Sequence, residues 1–379
     1  MIFESLATNT TLKALCISVN CIELPCVDSL AKLLKSNTSL TKLDISGNNF
    51  GCSGAKLIFE ALQFNSTLKN LNFSDCMETT DPLCFDTLHL NSLEILDLSD
   101  NFIGDVGVAS LVKALQFNTT LTTLFLTSNS INPKGALSIS EMLQFHPSLT
   151  TLRLGYAVLG DEGVRAIFTS LQNNSNLTVL DISSNSITAD GFQHISDFIK
   201  SNTTLSSLSM ACNRIGHKGV KFISEALQLN TSLKFLDMRD NAIGDEGTKH
   251  LSESLCFNST LKHLNISNNN ITNEGLYLIF KLLEKNIYLS QLELLDNMID
   301  DDEHYWTVDR TLQYNRWVLR NLLWPKTHYQ LSKKRQRKIE ETILILRLIC
   351  VPKDLQIYLI KFFLELILVA DSVGKSPGY

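Results

Sequence analysis

Leucine and isoleucine recur along the chain at fixed positions within a unit of 28 residues. Each unit reads L-x-x-L-x-L-x-x-N-x-I, followed by a glycine, an amphipathic segment and, in most units, the tripeptide Asn-Thr/Ser-Thr/Ser. Successive units begin 28 residues apart, except for one interval of 25 residues. The eleven units begin at Leu12, Leu40, Leu68, Leu93, Leu121, Leu149, Leu177, Leu205, Leu233, Leu261 and Leu289. Internal repetition with this period is typical of a solenoid.

The two halves of the unit predict different secondary structure. In the second unit Leu43 and Ile45 alternate with polar residues, which indicates a short strand with one buried face. In the fourth unit Val108, Leu111 and Leu115 share one face at helical spacing. The sequence therefore predicts an α/β solenoid with one parallel strand and one helix in each unit. Because a single unit cannot bury its own apolar faces, stability has to come from stacking.

Two asparagine columns recur at the ends of these elements. The asparagine at the ninth position is predicted to be structural, because its buried amide can satisfy backbone groups that the turn frees. Cys76 and Ala157 interrupt this column. A second asparagine follows most of the helices, and we expect it to end the helix in the left-handed conformation. The aromatic residues just before that stop are predicted to form a packed spine; they are Phe64, Phe117, Phe145 and Phe257.

The unit from Leu233 to Gly247 resembles the ribonuclease-inhibitor-like class of leucine-rich repeats, and the resemblance spans roughly residues 1–300. It implies a horseshoe with strands on the concave face, helices on the convex face, and protein binding on the concave face. Members of the class also include immune-receptor sensor domains and a GTPase-activating protein, so GTPase activation is an alternative function. The repeats are similar to eukaryotic ones, and the chain is rich in Asn, Ser, Leu, Ile and Lys. In these two features the protein resembles an effector that an intracellular bacterial pathogen delivers to act on a host protein.

Composition and motifs favour a binding protein over an enzyme. The net charge of −6 argues against general nucleic-acid binding, which needs a broad basic surface. The nine cysteines form no CxxC pair, and we expect reduced thiols and no metal site. The chain contains no glycine-rich phosphate loop, H-E-x-x-H or G-x-S-x-G. We therefore predict no enzymatic activity, no cofactor and a monomer.

The repeat pattern degrades after Leu289, so we divide the chain into a repeat domain at 1–300 and a carboxy-terminal region at 301–379. This region contains a degenerate last repeat, a basic run at 333–338 and a helix predicted at 353–370. That helix is shorter than the ~20 residues that a membrane span needs, so we expect a helical cap on the last repeat. The amino terminus lacks the pattern of a secretory signal peptide. The protein is expected in the cytoplasm, or in a host cell that it reaches by a non-classical secretion route.

Two segments break the pattern in other ways. Residues 351–360 resemble the opening of F-box helices or the end of a suppressor-of-cytokine-signalling box, which would recruit a ubiquitin-ligase adaptor.

The 25-residue unit between Leu68 and Leu93 lacks the usual glycine and most of the helix motif. We expect a short or irregular convex element at 77–92, with faster hydrogen exchange than in the neighbouring repeats.

The candidate binding site follows from strand alternation. The third, fifth, seventh and eighth positions of each unit point to the concave face, and most carry small polar residues. A few carry large or charged residues, which the fold does not need and which typically provide interface energy. Tyr156 also stands next to Ala157, where the structural asparagine is missing. The predicted contact residues are Phe125, Arg153, Tyr156, Val179, Asp181, Phe235, Asp237, Arg239 and His263.

Overall fold

A computed structural model describes residues 2–22, 24–77, 85–86, 88, 92–300, 305, 307–313 and 315. Short strands and longer helices alternate along this part of the chain. The strands are β1 Ala14–Cys16, β2 Lys42–Asp44, β3 Asn70–Asn72, β4 Ile95–Asp97, β5 Thr123–Phe125, β6 Thr151–Arg153, β7 Val179–Asp181, β8 Ser207–Ser209, β9 Phe235–Asp237, β10 His263–Asn265 and β11 Gln291–Glu293. The helices are α1 Ile2–Ala7, α2 Leu24–Ser36, α3 Gly51–Leu62, α4 Gly104–Leu115, α5 Pro133–Phe145, α6 Gly160–Leu171, α7 Ala189–Ser201, α8 Gly216–Leu229, α9 Gly244–Leu255 and α10 Asn273–Lys285.

All eleven strands form one open parallel sheet in chain order, which confirms the predicted α/β repeat fold. The register is the same at every step, so that Leu43 pairs with Leu71 and Leu180 pairs with Leu208. These central strand leucines are buried, whereas the residues on either side of them are mostly only half-buried. One face of the sheet therefore belongs to the core, and the other face is open.

The open face of the sheet lies on the inside of the stack. Neighbouring strands are about 4.8 Å apart, whereas a helix with its side chains is about 10 Å wide. Because each repeat contributes one strand and one helix, the helix layer has to be longer than the strand layer. The predicted apolar face of the helices is buried beneath the strands, as Val220, Ile223 and Leu227 show. The concave face is thus the open face of the sheet.

The asparagine at the ninth position ties each repeat to the one before it. In Asn213 the Nδ2 atom donates to the carbonyl oxygens of Ile182, Met210 and Ala211 at 3.1–3.2 Å. Its Oδ1 atom accepts from the amides of Asn185 and Ile187. Five hydrogen bonds on one buried side chain agree with the structural role predicted for this column.

The second asparagine ends the helices, but the predicted left-handed conformation is wrong. Asn202, Asn230 and Asn286 are all extended, with φ between −72° and −89°. Oδ1 of Asn230 accepts from the amides of Ser232 and Leu233 at 3.0 and 2.8 Å and so shapes the turn after α8, while its Nδ2 donates to the carbonyl oxygen of Ile199 near the end of α7. The left-handed residues lie instead at the strand end, at the eighth position of most repeats.

The predicted aromatic spine is also wrong. Phe64, Phe117, Phe145 and Phe257 are all exposed on the edge where the helices end. Repeat spacing does not determine which way a side chain points, and this position lies on the outer side of the turn. Buried phenylalanines come from other positions: Phe59 lies 5.7 Å from Phe85 and 5.3 Å from Phe73, measured between ring centroids.

The predictions for the short unit and the carboxy-terminal region fall mostly outside the described residues. In the short unit Phe85 and Leu88 are described, and both are buried. The basic run at 333–338, the helix at 353–370 and the adaptor-like segment at 351–360 lie wholly outside. Residues 307–313 are helical, and the buried Asn315 donates to the carbonyl oxygens of Asn286 and Leu289.

Candidate functional site

The concave face carries two groups of large side chains. We name the first cluster 1; it contains Phe125, Arg153, Tyr156, Val179 and Asp181. Phe125 on β5 pairs with Arg153 on β6, and Arg153 pairs with Asp181 on β7. The guanidinium carbon of Arg153 lies 4.7 Å from the centroid of the Phe125 ring. Because side chains at paired positions point to the same face, these residues form one continuous patch on three neighbouring strands.

Tyr156 is exposed over 63% of its surface. Its backbone is left-handed, with φ of +54°, as at the eighth position of most repeats. Small polar residues or aspartate usually occupy that position, because a bulky side chain makes the left-handed conformation costly. A strained and exposed tyrosine is typical of a functional position.

Cluster 2 lies farther along the sheet and contains Phe235, Asp237, Arg239, His263 and Glu293. The Phe235 and His263 rings meet edge to face, with centroids 4.7 Å apart. The His263 Nε2 atom lies 2.7 Å from Oε1 of Glu293. Glu293 was not among the residues predicted from sequence, although its fifth position in the eleventh unit could have identified it. Aromatic and charged groups are thus held together in a defined arrangement.

Asp237 differs from the other members of cluster 2 because it is buried. Its Oδ1 atom accepts from the amide of Arg239, and its Oδ2 atom lies 3.7 Å from Nε of the exposed Arg239 side chain. Burial raises the pKa of the Asp237 carboxyl, while the hydrogen bond and the positive charge of Arg239 oppose that rise. Asp237 is therefore placed to orient the Arg239 side chain.

The structure does not bring all the predicted contact residues into one site. Four strand steps separate Phe125 on β5 from Phe235 on β9, which is about 19 Å at the usual strand spacing. Between the clusters β8 presents only Ser207 and Ser209, which are half-buried. The two clusters consequently border a shallow trough with a floor of small polar side chains.

Sequence reasoning also missed a hollow on the concave face of β1–β4. Its volume is about 380 Å³, and Ile95, Asp97 and Phe125 line it on the side of cluster 1. The sequence contains a signal for it, because Ile95 is an apolar residue at the third position of its unit, where most units carry a polar residue. Phe125 therefore belongs to cluster 1 and also lines the hollow.

Within the described ranges, no three His, Cys, Asp or Glu residues are grouped so that they could hold a metal ion. No helix in that part of the chain is long and apolar enough to cross a membrane.

Comparison with curated proteins found relatives over part of the chain. One match, to human NACHT, LRR and PYD domains-containing protein 13, is 36% identical over 104 residues, 26% of this chain and 10% of that protein. Another, to the ribonuclease inhibitor of Sus scrofa, is 36% identical over 96 residues, 24% of this chain and 21% of the inhibitor. The matches thus span only a tenth to a fifth of those relatives.

The fold has counterparts among solved structures. A chain of the yeast Rad7 and Elc1 complex superimposes with a TM-score of 0.55 and 16% identity, over 79% of this chain and 75% of that one. The Leucine Rich repeat family model matches residues 36–59, 89–112, 117–140, 145–168, 173–196, 201–224, 229–252 and 257–280, just over half of the chain. With the eleven stacked strands, these matches show that the chain belongs to the leucine-rich-repeat family.

Proposed function

We propose that this protein is a scaffold that binds one protein partner across cluster 1 and cluster 2. The observation that carries the proposal is the pair of aromatic and charged groups on an open sheet face, with Arg153 against Phe125 and Phe235 against His263. Aromatic residues and arginine dominate the energy of protein interfaces. The fold itself needs none of these side chains, because the central strand leucines provide the core.

The spacing of the two clusters favours a protein over a small ligand. Phe125 and Phe235 lie about 19 Å apart at the usual strand spacing, which is too far for one small molecule to touch both, whereas a protein interface covers roughly 800 Å² on each partner. The yeast chain with the same fold was solved in a complex with Elc1, so that protein binds a partner. The proposal is for binding without catalysis, by a monomeric scaffold.

Affinity capture with the full chain tests the proposal. Alanine substitution of Phe125, Arg153, Tyr156, Phe235 and Arg239 should remove the partner that the wild-type protein captures. Each of the two central substitutions, Phe125→Ala and Phe235→Ala, should weaken affinity roughly 30-fold or more, as hot-spot residues do.

Matched controls lie on the helix side of the solenoid. Phe64→Ala and Phe257→Ala remove exposed phenylalanines from the helix-end edge, and Arg165→Ala removes an exposed arginine from α6. All three variants should capture the partner as the wild type does. If capture survives the five concave substitutions and is lost when residues 325–379 are deleted, the carboxy-terminal region is the recruiter and the proposal is wrong.

Two alternative functions, and the role of a bacterial effector, stay predictions. GTPase activation requires stimulated nucleotide hydrolysis by a GTPase, whereas a scaffold forms a stable complex without turnover. Recruitment of a ubiquitin-ligase adaptor requires binding through residues 351–360. The role of an effector acting on a host protein requires a partner that comes from a eukaryotic cell extract.

A further inference from the structure

A cleft opens on the helix side of the solenoid, away from the concave face. It lies between the carboxyl ends of α4 and α5 and has a volume of about 570 Å³. Its apolar lining comes from Val112, Leu115 and Met142, and from the rings of Phe117 and Phe145. Lys113, Gln116 and Glu141 complete the sides. The volume falls within the range of pockets that bind small molecules, which is roughly 300–1,000 Å³.

His146 lines the same cleft and occupies a position that most other repeats give to the helix-capping asparagine. In the next repeat Nδ2 of Asn174 donates to the carbonyl oxygen of Leu143, and its Oδ1 accepts from the amides of Asn176 and Leu177. The His146 side chain makes no such bonds. Both its ring nitrogens lack a hydrogen-bond partner among the described residues, although only 4% of the residue is exposed.

An unpartnered imidazole is unfavourable in a buried position. Each buried polar atom without a partner costs about 1–3 kcal/mol, so such groups are rare in folded proteins. Burial lowers the pKa of His146, which keeps the ring neutral, with one donor and one acceptor nitrogen. Met142, whose flexible side chain lines the same cleft, can shift to admit a polar atom.

The phenylalanines at the cleft suggest what fits there. Phe117 is 86% exposed and Phe145 is 83% exposed, and they lie at the carboxyl ends of the adjacent helices α4 and α5. Exposed aromatic rings favour another aromatic ring, which can stack on them or meet them edge to face. Lys113 and Glu141 have opposite charges, so the sides of the cleft favour a neutral group.

We propose that the α4–α5 cleft binds a neutral aromatic group with one hydroxyl, a phenol, whose oxygen hydrogen-bonds to a ring nitrogen of His146. The phenol ring lies between Phe117 and Phe145, and its hydroxyl reaches past Met142. This site is separate from the concave face, so it does not depend on partner binding there.

Titration of the full chain with p-cresol and toluene tests the site, because the two molecules differ only by the hydroxyl. Ring proton resonances of p-cresol and toluene in the NMR spectrum report binding, so the same readout applies to the wild type and to every variant. We expect p-cresol to bind about tenfold more tightly than toluene, the ratio that one additional hydrogen bond provides. His146→Asn restores the usual residue of the repeat, and in this variant p-cresol should lose its advantage over toluene.

Two further variants locate the bound ring. Phe117→Ser should remove the binding of both molecules, whereas Phe257→Ser, a matched change elsewhere on the same edge, should leave both affinities unchanged. Equal affinities of p-cresol and toluene in the wild type would overturn the proposal. So would a p-cresol preference that persists in His146→Asn, or the absence of saturable binding.

N-acetyltyrosinamide separates the two sources of a phenol. If it competes with p-cresol, the cleft accepts a tyrosine side chain from a polypeptide. If it does not compete while p-cresol binds, the natural ligand is a free small molecule. Both results support the phenol site, and they distinguish what occupies it.

Discussion

Repeat eight carries one capping asparagine at each end, and the two are used differently. At the strand end, Oδ1 of Asn213 accepts from the amides of Asn185 and Ile187, which belong to the preceding repeat. At the helix end, Oδ1 of Asn230 accepts from the amides of Ser232 and Leu233, which follow it in the chain. Both donate through Nδ2 to carbonyl oxygens of the preceding repeat.

The difference indicates what each column contributes. The strand-end asparagine joins repeats with both ends of its amide, so it contributes mainly to stacking. The helix-end asparagine joins repeats with its donor and shapes the local turn with its acceptor. A stacked array depends on the interface between neighbouring repeats as well as on each repeat alone. Interruptions of the two columns should therefore have different consequences.

The residues that replace asparagine in the two columns differ in the hydrogen bonds that their side chains make. At the strand end, Cys76 retains part of the pattern, because its Sγ donates to the carbonyl oxygens of Ile45 and Ser74 at 3.3 Å. Ala157 brings no side-chain donor or acceptor. At the helix end, His146 introduces two ring nitrogens that are buried and unpartnered. Only the helix-end interruption adds an unsatisfied polar group of its own.

The largest predicted effect is the loss of a complete strand-end cap. Asn213→Ala should lower the free energy of unfolding by roughly 1–3 kcal/mol, because buried backbone groups lose their partners. Urea denaturation would measure the change. Asn173→Ala, at an exposed asparagine, is the control and should change stability by less than about 0.5 kcal/mol. Wild-type stability combined with lost partner capture would reassign Asn213 to the binding site.

The second prediction concerns the helix-end interruption. His146→Asn should raise the free energy of unfolding at pH 7 by about 1–2 kcal/mol, because the new amide can accept from the amides of Ser148 and Leu149. If stability falls instead, the histidine has a structural role that its contacts do not show.

The same variant should change the pH dependence of stability. Burial lowers the pKa of His146 from its usual value of 6.5, so the unfolded chain binds more protons than the native protein below that pH. Wild-type stability should therefore decline as the pH falls below 6.5 toward the native pKa. The decline should be smaller in His146→Asn, and denaturation series at pH 7.5 and 5.0 would measure it.

Repetition explains how much the sequence revealed. A leucine such as Leu43 recurs in every unit, so its position in a buried strand could be read from the spacing alone. The backbone at Asn230 and the exposure of Phe117 could not, because spacing shows that a position recurs but not which way it points. Both errors concern the turn after the helix, where the side chains follow neither a helical nor a strand period.

The candidate site was predictable only residue by residue. Alternation correctly placed Phe125 and Phe235 at inward strand positions, but it did not show that β8 separates them by small serines. His146 escaped notice because a histidine in place of asparagine at a helix end looks like ordinary variation. Its importance depends on two missing hydrogen bonds, which only coordinates reveal.

The third prediction restores the missing strand-end cap. Ala157→Asn should raise the free energy of unfolding by about 1 kcal/mol, since an amide there can repeat the bonds that Asn213 makes. Ala157→Leu adds apolar volume without an amide, and in this buried position it should lower stability. If the asparagine variant is also destabilised, the turn beside Tyr156 has moved too far to accept the cap.

The smallest expected effect is at Cys76, where the interruption is already repaired. Burial raises the pKa of the Cys76 thiol to about 12, so the group stays protonated and keeps donating at any physiological pH. Because the thiolate is the nucleophile, iodoacetamide at pH 8 should leave Cys76 unmodified in the native protein while it alkylates the exposed Cys16 and Cys21. Mass spectrometry of peptides would measure the three sites, and the urea-unfolded protein, in which all three should react, is the control. Alkylation of native Cys76 at the rate of Cys21 would show that its thiol does not replace the asparagine, and Cys76 would then join Ala157 as a true gap in the column.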